Sequence, residues 1–322
     1  MRNKIKISID LEGPFGMYPY INSKKSIRQY SKLNECIEFL FNVHKEKKKE
    51  ITVGILGLTA LSNIYDLILL ISSIEFDYPK NSLINRLRTD SSFFKLIIEN
   101  NKYFLKGEML DKLDIKKHKY VKLACHSLSH IHIFEEKYDK EILDLEIKES
   151  FKILKKFLDN NEKIDLYISP RNQLNKTLIE ILEKHQIEKI RKSSDIKLYS
   201  ENHKESLFLR YFFKILRKYD KYNLPFNGRF NRSIKNKFLV EDSKYIDSGY
   251  FLEFPRYSFL YKRYLSSFKK YLDTQISNGD NINLWFHPHN MLLNINLSKK
   301  YYKEIIKILE SLDSRNYFFS FL

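Results

Sequence analysis

Several short segments rich in apolar, β-forming residues predict β-strands, and in the first of them, Lys4–Asp10, apolar and polar positions alternate with a period of two. The predicted strands are Lys4–Asp10, Ile51–Gly57, Tyr120–Cys125, Asp165–Ser169, Tyr250–Phe254, Ile282–Phe286 and Tyr317–Phe321. Between them, apolar residues recur every three or four positions, which is the spacing of an amphipathic helix. The predicted helices are Ser26–Lys48, Leu58–Ile71, Lys140–Leu158, Asn175–His185, Ser206–Tyr219, Tyr261–Ser277 and Ser298–Leu312.

The alternation of strands and helices along most of the chain predicts an α/β fold. Its simplest form is a (β/α) barrel, in which parallel strands form the centre and helices form the outer layer. A chain of 322 residues is compatible with one barrel. Because no internal repeat or linker divides the chain, we expect a single barrel domain spanning residues 1–322.

The composition narrows the class of protein further. Hydrophobic residues make up 43% of the chain, which is too many for a disordered protein. Cys36 and Cys125 are too few for a disulfide framework, and we expect them to be free thiols. No segment has the length of a membrane span, and the first residues lack the apolar core of a signal peptide. We therefore expect a cytoplasmic location.

The chain is strongly basic. Lys and Arg number 57 against 40 Asp and Glu, so the formal net charge is +17. Such a surplus attracts polyanions, including nucleic acid and anionic membrane surfaces. The lysines are spread along predicted helix faces and loops, however, which is typical of a solvated surface. We expect no specific nucleic-acid partner, and peripheral contact with a membrane stays open as an alternative.

The histidines indicate where chemistry is concentrated. Five of the nine lie in two short segments, each of which follows a predicted strand. In the first segment, His126 and His130 are four residues apart, which would place them on one face of a helical turn and near enough to share a metal ion. No glutamate lies between them, so a third ligand and a catalytic base would have to come from elsewhere in the chain.

Other strand ends carry groups that suit such a site. Asp10 and Glu12 share one face if strand alternation continues, and two carboxylates there repel each other unless a cation or a proton lies between them. Arg171 follows another strand and is able to hold a carboxylate ionised. His287 and His289 end an apolar strand and suit an acid or a base. Each segment also has an ordinary interpretation: a solvated strand end, an exposed arginine or packing histidines.

Taken in chain order, these segments resemble the motifs of the polysaccharide deacetylase family, also called carbohydrate esterase family 4 or the NodB-homology domain. The resemblance rests on ISIDLEG, ITVGILG, ACHSLSH, YISPRNQ, FLEFPRY and LWFHPHN, and it extends from Ile5 to about Leu312. It is closest to the subgroup whose first motif reads D-x-E. The resemblance implies a distorted (β/α) barrel, often with seven strands, that removes acetyl groups from an N-acetylated sugar.

The resemblance also implies a role for individual residues. Glu12, His126 and His130 would bind a divalent metal ion, for which zinc is the first expectation and Fe(II), Co(II) or Ni(II) are alternatives. Asp10 would be the general base that deprotonates the attacking water. Arg171 would pair with Asp10 and hold it in place.

The remaining implied roles concern the leaving group and the sugar. His287 would be the general acid that protonates the departing amine, although His289 stays an alternative. Asp247 is the candidate for the carboxylate that tunes this histidine. The side chains expected to contact the substrate are Asn172, Trp285, His289 and Asn290.

The departures from the family pattern leave other functions open. The third motif reads S-P-R-N-Q instead of the commoner R-x-P-Y-G, which leaves the role of its arginine open. The alternatives are a metal-dependent hydrolase of another amide, a non-heme iron oxygenase, and a non-catalytic barrel that binds sugar or polyanions. A cytoplasmic location would favour a nucleotide-linked or lipid-linked sugar as the substrate. The basic, aromatic stretch at 206–233 is interpreted as a packed helix, with a substrate lid or a membrane-facing helix as alternatives.

Overall fold

The structure is a computed structural model that describes residues 2–18, 20–21, 23–134, 136–159, 162–192, 244–312 and 316–322. The predicted helix Ser206–Tyr219 and the basic, aromatic stretch at 206–233 lie outside the described residues. None of the described helices is both long enough and apolar enough to cross a membrane.

Parallel strands form one curled sheet, and the fold is an α/β distorted barrel, as predicted. The strands are β1 (Asn3–Leu11), β2 (Ile51–Ile55), β3 (Val121–Cys125), β4 (Leu166–Ile168), β5 (Lys189–Lys192), β6 (Tyr245–Asp247), β7 (Tyr250–Phe251), β8 (Ile282–Phe286) and β9 (Tyr317–Phe319). Eight of them follow the order β6-β5-β4-β3-β2-β1-β8-β7, and β9 pairs with β1 outside that order. The expected number of seven strands is therefore too low, because β5 and β6 were not predicted.

Helices connect the strands and cover the sheet. They are α1 (Lys24–Arg28), α2 (Leu33–Lys47), α3 (Ile64–Ser73), α4 (Leu83–Thr89), α5 (Ser91–Glu99), α6 (Asn101–Phe104), α7 (Gly107–Lys112), α8 (Lys140–Leu154), α9 (Lys176–Lys184), α10 (Ser258–Asn278) and α11 (Ile295–Glu310). The short helices α4 to α7 between β2 and β3 were not predicted. Helices on the outside explain why the five residues of β2 are all buried, as is usual for central parallel strands.

The core contains both cysteines and one histidine that has a structural role. Cys36 and Cys125 are buried free thiols, as predicted. The Nδ1–H group of His44 donates to the carbonyl oxygen of Lys49 at 2.8 Å, and its Nε2 accepts from the hydroxyl of Tyr302 at 2.7 Å. This histidine joins α2 to α11 in the interior and does not belong to any candidate site.

The two ends of the strand order are neighbours along the chain. Only Ser248 and Gly249 separate β6 from β7. Gly249 has a φ of 70°, and a Cβ atom there would lie 2.2 Å from the carbonyl oxygen of Asn283 on β8, so glycine is required. The Nδ2 atom of Asn283 donates to the carbonyl oxygen of Asp247 at 3.1 Å. The junction thus brings the two ends of the strand order together along the chain.

The register of the parallel strands decides where the candidate residues meet. Leu11 pairs with Ile55 of β2, which in turn pairs with Cys125 of β3. On the other side of β1, Ile9 pairs with Phe286 of β8. The residues that follow β1, β3 and β8 therefore project from one edge of the sheet, where ligands of open α/β sheets usually bind.

Candidate metal centre

Three side chains from two strand ends converge at this edge. The Oε2 atom of Glu12 lies 2.8 Å from Nε2 of His130 and 3.3 Å from Nε2 of His126. All three residues are buried. Their ligand atoms all lie within 4.8 Å of one another, close enough to hold one metal ion. The structure thus brings together the three residues that the sequence motifs predicted as ligands.

The orientation of His126 is set by the neighbouring strand. Its Nδ1–H group donates to the carbonyl oxygen of Ile168 on β4 at 2.7 Å. In the neutral ring this bond places the proton on Nδ1 and leaves the lone pair on Nε2, the atom that faces Glu12. A hydrogen bond from the outer ring nitrogen to a carbonyl is the usual support for a histidine ligand.

The segment His126–His130, called here the dihistidine loop, is not the helical turn that its spacing predicted. Ser127 has a φ of 60° and His130 a φ of 58°, so both are in the left-handed region. The rings of His126 and His130 nevertheless lie 5.4 Å apart. The Nδ1 atom of His130 is 3.2 Å from Nε2 of His132, which supports the ring from the side opposite Glu12.

A buried carboxylate on α8 explains the shape of this loop. Glu146 accepts hydrogen bonds from the backbone N–H groups of Leu128 and Ser129, both at 2.9 Å. The hydroxyls of Ser129 and Tyr78 donate to its other oxygen at 2.5 and 3.1 Å. Burial raises the pKa of Glu146 even though these donors lower it. The loop N–H groups bind this carboxylate and cannot continue a helix.

Sequence reasoning did not identify Glu146, although a signal was present. It lies on the same face of α8 as the buried Leu143, Ile147 and Leu154. A lone glutamate on the apolar face of a helix requires a partner in the interior. That partner is the backbone of the dihistidine loop.

Asp10 is buried beside the three-residue cluster, and its cation is Arg191. The Nη1 atom of Arg191 lies 2.8 Å from Oδ1 of Asp10, and Nη2 lies 2.6 Å from Oδ2. Burial raises the pKa of Asp10, but the guanidinium outweighs this effect and brings the pKa below its ordinary value. Asp10 is therefore a carboxylate at neutral pH.

The predicted pairing of Arg171 with Asp10 is wrong. Arg171 lies beyond the end of β4, in a turn where its φ is 50°. Arg191 lies within β5, opposite Ile168 of β4 in the register, and its side chain is almost completely buried. Arg191 reaches Asp10 from within β5, whereas Arg171, in the turn beyond β4, forms no ion pair with Asp10.

Arg191 is held by further contacts inside the barrel. It donates to the hydroxyl of Ser8 at 2.9 Å, and its guanidinium lies 5.0 Å from the ring centroid of Trp285. Trp285 also contacts Phe251, with ring centroids 4.6 Å apart. Trp285, predicted to contact substrate, thus packs against the cation that holds Asp10.

His287 lies at the mouth of the site and contacts both carboxylates. Its Nε2 atom is 3.3 Å from Oε1 of Glu12 and 4.0 Å from Oδ2 of Asp10. The ring of His289 stacks on it, with centroids 5.0 Å apart. Burial, together with the neighbouring His287, lowers the pKa of His289 to about 3. His289 is therefore neutral near pH 7, and it forms a second group of metal-ligand atoms with Glu12 and His287.

The other predicted site residues do not belong to the cluster of Glu12, His126 and His130. Asp247 accepts from the N–H of Gly249 at 3.0 Å, and the carboxylates within 4.0 Å of His287 in the described chain are those of Asp10 and Glu12. Asn290 donates through its backbone N–H to the carbonyl of His287 at 3.0 Å. The Oδ1 atom of Asn172 is buried and has no hydrogen-bond partner among the described residues.

The electrostatics of the cluster fit a divalent cation. Burial raises the pKa of Glu12, but the imidazoles of His287 and His130 outweigh it and hold the pKa well below the ordinary value. Burial lowers the pKa of His130 to about 4. Near pH 7 the cluster therefore presents an anionic oxygen at Glu12 and an unprotonated imidazole at His130. Metal binding requires ligands in these protonation states.

Comparisons with known proteins agree with the fold. No protein-family model matches the chain, and no curated protein matches it in sequence. The fold is similar to that of a candidate polysaccharide deacetylase from Mycobacterium smegmatis, with 100% of this chain aligned to 94% of that chain at 10% identity and a TM-score of 0.51. At this identity the likeness concerns the fold alone, and it supports the predicted distorted barrel.

Two further structures align with lower scores. A family 4 carbohydrate esterase from Streptomyces lividans aligns over 99% of this chain and 92% of its own, at 8% identity and a TM-score of 0.41. A CE4 family pseudoenzyme from Bacillus anthracis aligns over 100% of this chain and 65% of its own, at 9% identity and a TM-score of 0.40. This chain thus spans 65% of the length of the B. anthracis protein.

Proposed function

We propose that this protein is a metal-dependent deacetylase that removes acetyl groups from an N-acetylated sugar or glycan precursor. The observation that carries the proposal is the convergence of Glu12, His126 and His130 beside the ionised carboxylate of Asp10. The similarity of the fold to a candidate polysaccharide deacetylase is consistent with it. The cytoplasmic location and the single-domain organisation expected from the sequence stay predictions.

The proposed metal ligands are Oε2 of Glu12 and the Nε2 atoms of His126 and His130. Two imidazoles and one carboxylate suit zinc, and also Fe(II), Co(II) or Ni(II). When bound there, a divalent cation would supply the Lewis acidity that activates water and polarises an amide carbonyl. Zinc is the first expectation because three such protein ligands leave a position open for catalysis.

Asp10 is the proposed general base. Arg191 keeps its carboxylate ionised and fixes its orientation through two hydrogen bonds. An ionised carboxylate at this position accepts the proton that the attacking water loses. Arg191 acts through Asp10, so its proposed role is to position the base.

His287 is the proposed general acid. The reaction consumes one water and breaks the amide C–N bond, and it yields acetate and a free amine. The amine nitrogen needs a proton as it leaves, because an amine anion is a very poor leaving group. His287 is the most exposed side chain among the residues that contact the carboxylates, with 21% of its side chain accessible. It is therefore placed to meet a substrate that enters from solvent.

The proposal is tested by measuring acetate release. Protein treated with a chelator should release no acetate from N-acetylhexosamine oligomers, and addition of zinc should restore release. Asp10→Asn should lower kcat by about 10²–10⁴-fold, the range for loss of a general base. Asp111→Asn, an exposed position on α7, is the matched control and should be unchanged. Equal turnover in the metal-free protein, or in Asp10→Asn, would contradict the proposal.

A further inference from the structure

A small cavity with a basic lining lies beside the candidate metal centre. Its volume is about 170 Å³. It is lined by Tyr30, Ser31, Asn34, Lys102, Tyr103 and Lys106. The ring of Tyr30 connects the cavity to the site, because its centroid is 5.7 Å from that of His289. We call this space the Lys106 cavity.

Lys106 is a buried cation without a carboxylate partner in the described chain. It is 2% exposed, and its Nζ atom donates to the carbonyl oxygen of Lys102 at 2.6 Å. No described aspartate or glutamate forms an ion pair with it. Burial lowers the pKa of Lys106 to about 8, so it is still mostly protonated near pH 7. Burying a charge without an opposite charge beside it destabilises the folded state, and a bound anion would offset this penalty.

Hydrogen bonds through Thr59 connect the Lys106 cavity to Glu12. The backbone N–H of Lys106 donates to the carbonyl oxygen of Thr59 at 2.7 Å. The hydroxyl of Thr59 donates to the carbonyl oxygen of Glu12 at 2.8 Å. Two hydrogen bonds therefore link the wall of the cavity to a proposed metal ligand.

We propose that the Lys106 cavity binds a phosphoryl group carried by the N-acetylated sugar substrate. This inference rests on the proposed deacetylase function, whose substrate class it specifies. The ammonium groups of Lys106 and Lys102, together with hydroxyl and amide groups of the lining, offer several donors to phosphoryl oxygens. A nucleoside diphosphate and a prenyl diphosphate share this chemistry as sugar carriers.

The experiment measures binding by calorimetry on the full chain with N-acetylglucosamine 1-phosphate and with N-acetylglucosamine. We expect the wild type to bind the phosphorylated sugar at least about tenfold more tightly, the lower end for a charge-assisted hydrogen bond. Lys106→Met should bring this ratio close to one. Lys112→Met, an exposed lysine on α7, should retain it. No preference in the wild type, or a preserved preference in Lys106→Met, would overturn the inference.

Thermal unfolding separates binding from a purely structural role. Because Lys106→Met removes a buried charge, its Tm should equal or exceed that of the wild type. A lower Tm with an unchanged binding ratio would show that Lys106 is structural and would overturn the inference.

Two further binding measurements distinguish the carriers, one with uridine diphosphate N-acetylglucosamine and one with a short prenyl diphosphate N-acetylglucosamine. Tighter binding of either one than of the neutral sugar supports the phosphoryl site and identifies the carrier. Failure of both to exceed the neutral sugar overturns it. If the phosphorylated sugars bind tightly but no acetate is released, the deacetylase proposal fails while the phosphoryl site stands.

Discussion

Replacing Arg191 with methionine would leave the carboxylate of Asp10 buried without its cation. The side chains of Arg191 and Asp10 are 1% and 3% exposed, so water cannot take the place of the guanidinium. Methionine has a similar length and no charge. The substitution therefore tests the ion pair itself more than the packing around it.

The magnitude follows from the geometry of the pair. Two unit charges about 4 Å apart interact by about 4 kcal/mol at an effective dielectric constant of about 20. Removal of one partner of a buried pair costs about 3–5 kcal/mol. We expect Arg191→Met to lower the free energy of unfolding by that amount at pH 7.

The pH dependence has a definite sign. The pKa of Asp10 is lower in the folded protein than its ordinary value, so the pair stabilises the fold above about pH 4. This stabilisation is lost as the pH falls through the folded pKa. The difference in stability between wild type and Arg191→Met should therefore shrink as the pH is lowered below about 4.

The assay is urea unfolding of metal-free protein, so that metal binding does not contribute to stability. The variants are Arg191→Met, Asp10→Asn and the double variant. Because the double variant leaves no unpaired charge, it should be less destabilised than the sum of the single variants, by at least about 1 kcal/mol. Arg171→Met is the control, since it leaves the pair intact and should cost clearly less. Additive single effects, or an equal cost for Arg171→Met, would show that the ion pair between Arg191 and Asp10 does not stabilise the fold.

Three further predictions concern the ligand, its loop and the core. A Cβ atom at Gly16 would lie 2.1 Å from Cδ of Glu12, so Gly16→Ala should displace the carboxylate. Zinc affinity, measured by competition with a chelating indicator, should then fall by at least about tenfold. An unchanged affinity would argue against Glu12 as a ligand. Glu146→Ala removes the acceptor of two buried N–H groups, and leaving each one unsatisfied costs about 1–3 kcal/mol. Urea unfolding should therefore show a free energy of unfolding that is lower by about 3 kcal/mol. Glu141→Gln, on the exposed face of α8, is the control and should show no such loss. Burial lowers the pKa of His44 to about 4, so the unfolded state binds a proton at a higher pH than the folded state does. The free energy of unfolding should therefore fall by up to about 3 kcal/mol as the pH drops from about 6.5 to about 4. His44→Gln should make this pH dependence shallower, and an unchanged slope would show that His44 does not cause it.

Local pattern was sufficient to predict the parts of the fold that position the candidate site. The strands around Ile9, Ile55 and Phe286 are recognisable because each is a short segment rich in apolar residues, which the structure buries in the core. The carboxyl ends of parallel strands meet at one edge, so Glu12 and the dihistidine loop had to be near each other. Most of the predicted helices also have observed counterparts, such as α8 and α11.

The unpredicted parts depend on contacts between residues that are distant in sequence. The strand β5 reads KIRK, with three charged residues among four, and carries no alternation that would reveal it. Arg191 is buried there because Asp10, 181 positions away, neutralises it. No local pattern encodes such a pair, so Arg171, which lies in a recognisable motif, was assigned the role instead.

For the dihistidine loop, the sequence predicts correctly that the two imidazoles lie together but predicts the wrong backbone conformation. A spacing of four predicts a helical turn, and the two imidazoles do meet. The chain reaches that arrangement through two left-handed residues, because Glu146 binds the loop N–H groups that a helix would have used. The partner of the loop lies on another element, and spacing within the loop contains no information about it.

Anomalous scattering from a crystal of the zinc-loaded protein would show directly whether Glu12, His126 and His130 hold one metal ion. We expect one strong peak about 2.0–2.2 Å from a carboxylate oxygen of Glu12 and from the Nε2 atoms of His126 and His130. Absence of a peak at these atoms, or a peak held by other side chains only, would contradict it.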